Sequence, residues 1–318
     1  MNPEQAEKLC REAIMFMMGS DGREKSPEET VRLFSSVAEA GYPSGMFGLA
    51  EVLMVGFGTP KDSERAINLY EKAAETGHVE SNFRLGMIHT GDYGFPENPE
   101  ASYRHFKTAA DAGMTPAYAY VAQYNFHGYG TDVNFENAFE FFLKSAEAGD
   151  PVSMFMAGYM LETGTGTEKN EEKAYGLFLK SAEIGIPEAI MKVAELTYTG
   201  QIPGGFEKAF EWFVKGAEAG ITGAKVSVGT LYYEGKGVKK DFGRAYDYYS
   251  QASEEGDSDA SFMKAKMELQ GMGTESDPAK AIATMTKASE QGNEEAKQLL
   301  NELRKAQNTQ FIEIDEGS

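Results

Sequence analysis

The stretch "AFEFFLKSAEAG", residues 138–149, decides the fold because the chain writes it again. Near-copies stand at 174–185, "AYGLFLKSAEIG", and at 209–220, "AFEWFVKGAEAG". Each closes on glycine, and the closing glycines fall at 41, 77, 113, 149, 185, 220, 256 and 292. The step is 36 residues throughout, except for one step of 35 between Gly185 and Gly220. A helical run followed by glycine predicts a left-handed C-terminal cap, where a side chain would clash.

Two helical stripes lie within each period. In the second half, Ala66, Tyr70, Ala73 and Ala74 share one helix face, and the same columns hold Ala138, Phe142, Ser145 and Ala146, then Ala209, Phe213, Gly216 and Ala217. One large aromatic among small residues lets neighbouring helices approach while the ring fills the remaining gap. In the first half the stripe is Gly45, Leu49, Ala50 and Leu53, repeated as Ser81, Leu85, Gly86 and His89, and as Ala224, Val228, Gly229 and Tyr232. Between the halves lie glycine loops: "GFGTPKD", "GYGTDVN", "GTGTEKN" and "GKGVKKD". The unit is helix, glycine loop, helix, glycine turn. One such pair cannot bury its apolar stripe alone, so units must stack.

The predicted organisation is a degenerate N-terminal repeat over 1–41, seven full repeats over 42–292, a capping helix over 293–306 and a flexible tail over 307–318. In the N-terminal repeat, Leu9, Ala13, Ile14 and Met17 have the first-helix spacing, and Val31, Phe34, Val37 and Ala38 the second.

Period, loop glycines and helix columns together resemble the Sel-1-like repeat, a relative of the tetratricopeptide repeat, over about nine-tenths of the chain. Two loops depart from the pattern, "GDYGFPEN" in the second full repeat and "GQIPGGFE" in the fifth. The resemblance implies an all-α, right-handed α-solenoid and a role as adaptor or scaffold for protein complexes. It supplies no catalytic motif. Some secreted members of the family are described as penicillin-binding or β-lactamase-like and carry paired cysteines in each repeat, which this chain lacks.

Composition narrows the classes of partner. The net charge is −20, from 50 acidic and 30 basic residues, so binding to nucleic-acid phosphates or anionic membranes is disfavoured. A single cysteine, Cys10, permits no internal disulfide. The N-terminus shows no basic leader, and its apolar run "AIMFMM" is too short for a signal peptide or a membrane span. These features predict a cytoplasmic protein.

Candidate chemistry is sparse. "GTLYYEGKG" has the wrong glycine spacing for a phosphate loop, and "GTGTEKN" follows no strand, as a dinucleotide site requires. Ser261 and Lys264 match S-x-x-K, but S-D-N and K-T-G partners are absent. His78, His89, His105 and His127 form no metal-ligand spacing and read as one core residue, His89, and surface residues. No enzyme, cofactor or metal is predicted; a hydrolase is the remote alternative.

If the first helices line a concave wall, the register places Met54, Met87, Tyr120, Gln123, Phe126, Met156, Tyr159, Glu162, Lys192, Glu195, Tyr198 and Tyr233 on it. Tyr and Met suit recognition, through large area, adaptable packing and a polar tip. The aromatic column Phe126, Tyr159, Tyr198 and Tyr233 fits inter-repeat packing as well as it fits a binding surface. Phe47, Phe83 and Phe155 read as packing residues. The predicted function is a non-enzymatic interaction protein that takes a peptide or helix of a partner protein in this groove. The alternative is a self-assembling spacer, a homo-oligomer whose groove holds a neighbour's tail "TQFIEID".

Overall fold

The computed structural model describes residues 1–303, and these fold as helices joined by short loops, with no strand among them. The predicted tail, and the end of the predicted capping helix, lie outside the described residues; helix is present over 294–303. Two compact units divide the chain, Met1–Asn170 and Glu171–Ser318.

The first unit contains α1 (Pro3–Met18), α2 (Pro27–Glu39), α3 (Pro43–Val55), α4 (Ser63–Glu75), α5 (Val79–Ile88), α6 (Pro99–Asp111), α7 (Thr115–His127), α8 (Phe135–Glu147) and α9 (Pro151–Thr163). The second contains α10 (Glu171–Ile184), α11 (Pro187–Tyr198), α12 (Gly205–Glu218), α13 (Thr222–Glu234), α14 (Phe242–Glu254), α15 (Ser258–Gln270) and α16 (Pro278–Glu290). Within each unit every helix packs on the next in sequence. This is the α-solenoid architecture that the 36-residue period implies. None of the described helices is long and apolar enough to cross a membrane.

The boundaries follow from local chemistry. Asp62, Asn98, Asn134, Asp241 and Asp277 cap the second helices, each side chain accepting from a backbone N–H of the first turn. The same residues donate their own N–H back to the first helix, as in Asp62 to Leu53 O at 3.0 Å and Asn134 to Asn125 O at 2.8 Å. That pair of bonds ties the loop shut. The second helices end in a left-handed glycine: Gly41 donates to Ala38 O and Tyr42 to Val37 O, the paired bonds of a Schellman turn.

Burial follows the predicted columns. Tyr70, Phe106, Phe142, Phe178, Phe213 and Tyr249 are all buried, and each contributes about 1.5–3 kcal/mol of hydrophobic stabilisation. Their rings lie against small residues of the first helices; a Cβ on Gly86 would stand 2.7 Å from the Phe106 ring. The N-terminal repeat differs from its predicted register. Ala6, Cys10 and Ala13 form its buried stripe, while Ile14 is exposed, because Ala13 stands before the cap Gly19 as Ala50 stands before Gly56, which puts Ile14 in the column of Glu51.

The second glycine of each G-x-G loop has a separate task. Gly130 has φ +66°, and a Cβ there would sit 2.1 Å from the carbonyl oxygen of Pro99, in the opening turn of α6. Gly58, Gly166, Gly237 and Gly273 meet backbone carbonyls of Pro27, Phe135, Phe206 and Phe242 in the same way. The two deviant loops lack this contact: nothing lies near a Cβ on Gly94, and in the other loop the counterpart of Gly166 and Gly237 is the buried Ile202. Gly113, by contrast with Gly130, needs only its left-handed backbone, with nothing near a Cβ. Gly113→Ala therefore costs about 1–2 kcal/mol, the left-handed penalty alone. Gly130→Ala costs at least about twice that, as read by urea unfolding; equal costs would refute the contact as the reason for the glycine.

Candidate functional site

None of the twelve residues placed on the first-helix face by register belongs to the buried core. Gln123, Tyr159 and Glu195 are exposed, and the other nine are half-buried. Eight lie in the first unit and four in the second. Tyr120 and Gln123 share a cleft of about 520 Å³ between α7 and the start of α9, with Ala119, Asp150 and Val152 in its walls. Met54 lines a separate cleft of about 280 Å³ with Arg84 and Tyr93. Tyr198, in the second unit, lines one of about 260 Å³ with Phe213, Val226 and Thr230. Of the twelve, Tyr120 and Gln123 thus share a cleft, while Met54 and Tyr198 line separate ones.

The aromatic column divides on inspection. Phe126 packs edge-on to Phe135 at 5.4 Å and to Phe142 at 6.3 Å. Tyr198 meets Phe206 at 5.1 Å, and Tyr233 meets Phe242 at 5.3 Å and reaches the Met272 sulfur at 3.8 Å. Each of these rings leans on an aromatic at the start of the following helix. Tyr159 belongs to another column: the residue 36 after Phe126 is Glu162, and Tyr159 stands five before Gly164, where Phe126, Tyr198 and Tyr233 stand two before Gly128, Gly200 and Gly235. It is 42% exposed, and Gln123 and Glu195, in its own column, are exposed too. Phe47 and Phe83 pack on Tyr70 and Phe106, as residues of the repeat interior.

The roomiest of these clefts, about 570 Å³, lies among α1, α3 and α5 and escapes the sequence reading. Ile14, Phe34, Phe47, Val55 and Phe57 form apolar walls, and Val55 is 73% exposed. Its polar wall is an ionic cluster. Arg84 grips Glu51 with two bonds, Nε to Oε1 at 2.7 Å and Nη2 to Oε2 at 2.8 Å, and the Tyr70 hydroxyl donates to Glu51 Oε1 at 2.5 Å. Burial first, then the Glu51 carboxylate, push the Tyr70 phenol far above its ordinary range. A signal for this cluster exists in the sequence, opposite charges 33 residues apart in a 36-residue period, which joins adjacent turns of neighbouring repeats. Thr222 and Glu255 use the same offset, with Lys225 completing that group by an ion pair to Glu255.

The other candidates resolve into packing. Ser261 is buried and bonded to Ser253 Oγ at 2.7 Å and to Asp257 O at 2.8 Å, while the Lys264 ammonium lies over the Tyr246 ring, so the two form no nucleophile–base pair. Burial raises the pKa of the Cys10 thiol, a change that lowers its reactivity. No group of three or more metal-ligating side chains occurs among the described residues.

The histidines require a correction. His78, read as surface, caps α5 by accepting from the Ser81 N–H through Nδ1 at 3.3 Å. His89, read as core, is half-buried at the other end of α5 and stacks on His105 with centroids 5.8 Å apart. His105 is also half-buried, its Nδ1 sharing a hydrogen bond with Asn82 Oδ1 at 3.0 Å. Burial, aided by Arg104 and His89, depresses the His105 pKa to about 4. His127 is exposed. Sequence spacing cannot show this, because the histidines meet only after α5 and α6 pack.

Comparison with known proteins agrees with the geometry. The Sel1 repeat model matches residues 2–42, 43–78, 79–114, 115–150, 151–186, 187–221, 224–257 and 258–293. Among solved structures, the chain is similar to c5321, a protective antigen of uropathogenic Escherichia coli displaying an SLR fold. The TM-score is 0.80 at 28% identity, over 94% of this chain and 64% of the antigen. The chain thus spans less than two thirds of that protein. It is also similar to a Sel1 repeat protein from Oxalobacter formigenes, with a TM-score of 0.65 at 26% identity, over 94% of this chain and 87% of that one. A comparison with curated protein sequences finds no match.

Two outcomes are expected. Phe126→Ser lowers stability by about 2 kcal/mol because its ring is wedged between two others, whereas Tyr159→Ser leaves the melting temperature nearly unchanged. Because the folded state holds His105 neutral, its contribution is complete above pH 6.5 and is lost as pH falls from 6.5 to about 4. Thermal melts across that window show a smaller loss in His105→Gln than in the parent; identical slopes would remove His105 from the account.

Proposed function

The chain belongs to the Sel1 repeat family, and we propose that it is a non-enzymatic protein–protein interaction scaffold, holding a peptide or helix of a partner on its first-helix face. The observation that carries this reading is the exposure of large apolar and aromatic groups where a monomeric solenoid has no packing use for them. Tyr159 and Val152 on α9 and Val55 on α3 are all exposed. Large apolar side chains left in solvent are what the surface of a partner would cover.

The clefts beside these residues give the surface relief. Tyr120 offers a ring face and a hydroxyl, and Gln123 offers an amide with both donor and acceptor. In the second unit Glu195 is exposed on the equivalent face, beside the Tyr198 cleft, and Lys192 lies over the Phe178 ring. Together they supply apolar anchors with a few polar groups to set register. The single buried thiol suits a reducing compartment.

Affinity capture from source cells tests the reading. A bait carrying Gln123→Ser and Tyr159→Ser loses a protein that the parent retains, while a second-helix control, Glu64→Arg with Glu75→Arg, keeps it. Melting curves accompany both baits. Loss by the control and retention by the first variant would assign binding to the outer helices and overturn the proposal.

A further inference from the structure

Two clefts of the Met1–Asn170 unit form one groove. The cleft among α1, α3 and α5 and the Met54 cleft share Glu51, Val55 and Arg84 as lining residues. Ile14 lines the first, Tyr93 the second and Val55 both, and all three are exposed. By contrast, the Tyr120 cleft holds one exposed large apolar residue, Val152, and the Tyr198 cleft none. The groove is thus where apolar side chains left in solvent come together.

Its charges are mostly matched from within. Arg84 and Glu51 hold each other by two bonds, and Glu80 lies 3.5 Å from Nε2 of His78, whose pKa burial lowers. Two cations remain. Lys61 lines the second cleft, and the Lys25 ammonium lies over the ring of Phe57, a lining residue of the first, at 5.3 Å. Both lysines are exposed, and neither has an ion pair among the described residues. They occupy equivalent places in successive repeats: a Cβ on Gly19 would lie 3.4 Å from the Lys25 Cβ, and one on Gly56 3.4 Å from the Lys61 Cβ. The groove therefore has an apolar floor and two cations along one rim.

The chain itself carries a segment with the matching pattern. Beyond Leu303, outside the described residues, the apolar side chains other than Ala306 are Phe311, Ile312 and Ile314, and Glu313 and Asp315 alternate with the isoleucines. We propose that the groove receives this segment from a second copy of the chain, with Phe311, Ile312 and Ile314 against Ile14, Val55 and Tyr93, and Glu313 and Asp315 toward Lys61 and Lys25. A second copy is the source because residues 304–310 supply at most about 25 Å of extended chain, and Leu303 and the groove belong to different compact units. Burial of the apolar groups holds the contact, and complementary charge sets its direction at a strength that salt reduces. The proposal does not rest on a foreign partner, and the groove shares no lining residue with the Tyr120 cleft.

Sedimentation velocity of the full chain over a range of concentrations tests it, with melting curves to show that each variant is folded. The parent is expected to associate as concentration rises, and less so at raised salt. Ile312→Ser with Ile314→Ser removes the segment's apolar groups, and Ile14→Glu with Val55→Glu spoils the groove at two exposed positions; each pair leaves the chain monomeric. Mixed together, the two variants associate again, because one keeps the groove and the other the segment. Lys25→Ser with Lys61→Ser weakens association about fivefold. Gln123→Ser with Tyr159→Ser leaves it unaltered, so this contact and the binding of a foreign partner fail or stand separately. A labelled peptide of residues 307–318, followed by fluorescence anisotropy, binds the segment variant about tenfold or more tightly than the groove variant. A monomeric parent, with the peptide bound by the segment variant alone, would put the chain's own segment in the groove and overturn the exchange between copies. Association that survives either pair of substitutions, or monomers that bind no peptide, would overturn the proposal outright.

Discussion

The loop glycine that lies against a backbone carbonyl of the preceding second helix fixes how closely one repeat follows another. With Cβ positions only 2.1 to 2.4 Å from those carbonyl oxygens at Gly58, Gly130, Gly166, Gly237 and Gly273, no other residue fits without displacing backbone. That closeness brings the small columns of the first helices under the aromatic rings of the second. The rings then exclude water from the interior, and the Asn or Asp cap locks the loop that carries the glycine.

The two kinds of helix divide the chain's charge between them. Second helices carry paired ions at helical spacing, such as Arg32 with Glu29, Lys144 with Glu140 and Lys208 with Glu211, all exposed and worth little stability each. Among α3, α5, α7 and α9 charges are few, and the ionic contact of Glu51 with Arg84 joins successive repeats. A net charge of −20 is therefore compatible with a face poor in charge on these four helices.

Much of this was legible before any coordinates. The ruler of closing glycines set the repeat, and the columns Ala66–Tyr70–Ala73 and Leu49–Ala50–Leu53 identified buried residues correctly, because helical period and stacking both act on local sequence. The twelve residues of the face register fall outside the buried core, although standing next to a buried column does not ensure this, since Leu49 and Ala50, and Val52 and Leu53, are neighbours and all buried. What stayed hidden was contact between repeats. Sequence could not reveal the cleft beside Val55 or the capping role of His78, which depend on how α1, α3 and α5 meet. The difference between Phe126 and Tyr159 was legible, because they stand at different distances from Gly128 and Gly164. Ile14 was misassigned by one residue, because Ala13 stands before Gly19 as Ala50 stands before Gly56.

The two irregular loops give the array a mechanical grain. Where a glycine is wedged under a carbonyl, pulling the chain ends apart must break a backbone contact before the repeats part. In the loops of Gly94 and Ile202 no such glycine wedge exists. Each compact unit therefore contains one compliant joint among stiffer ones, so a stretching force is relieved at these joints first. In the first unit the soft joint belongs to the repeat just before α7, which yields without unthreading the repeats on either side.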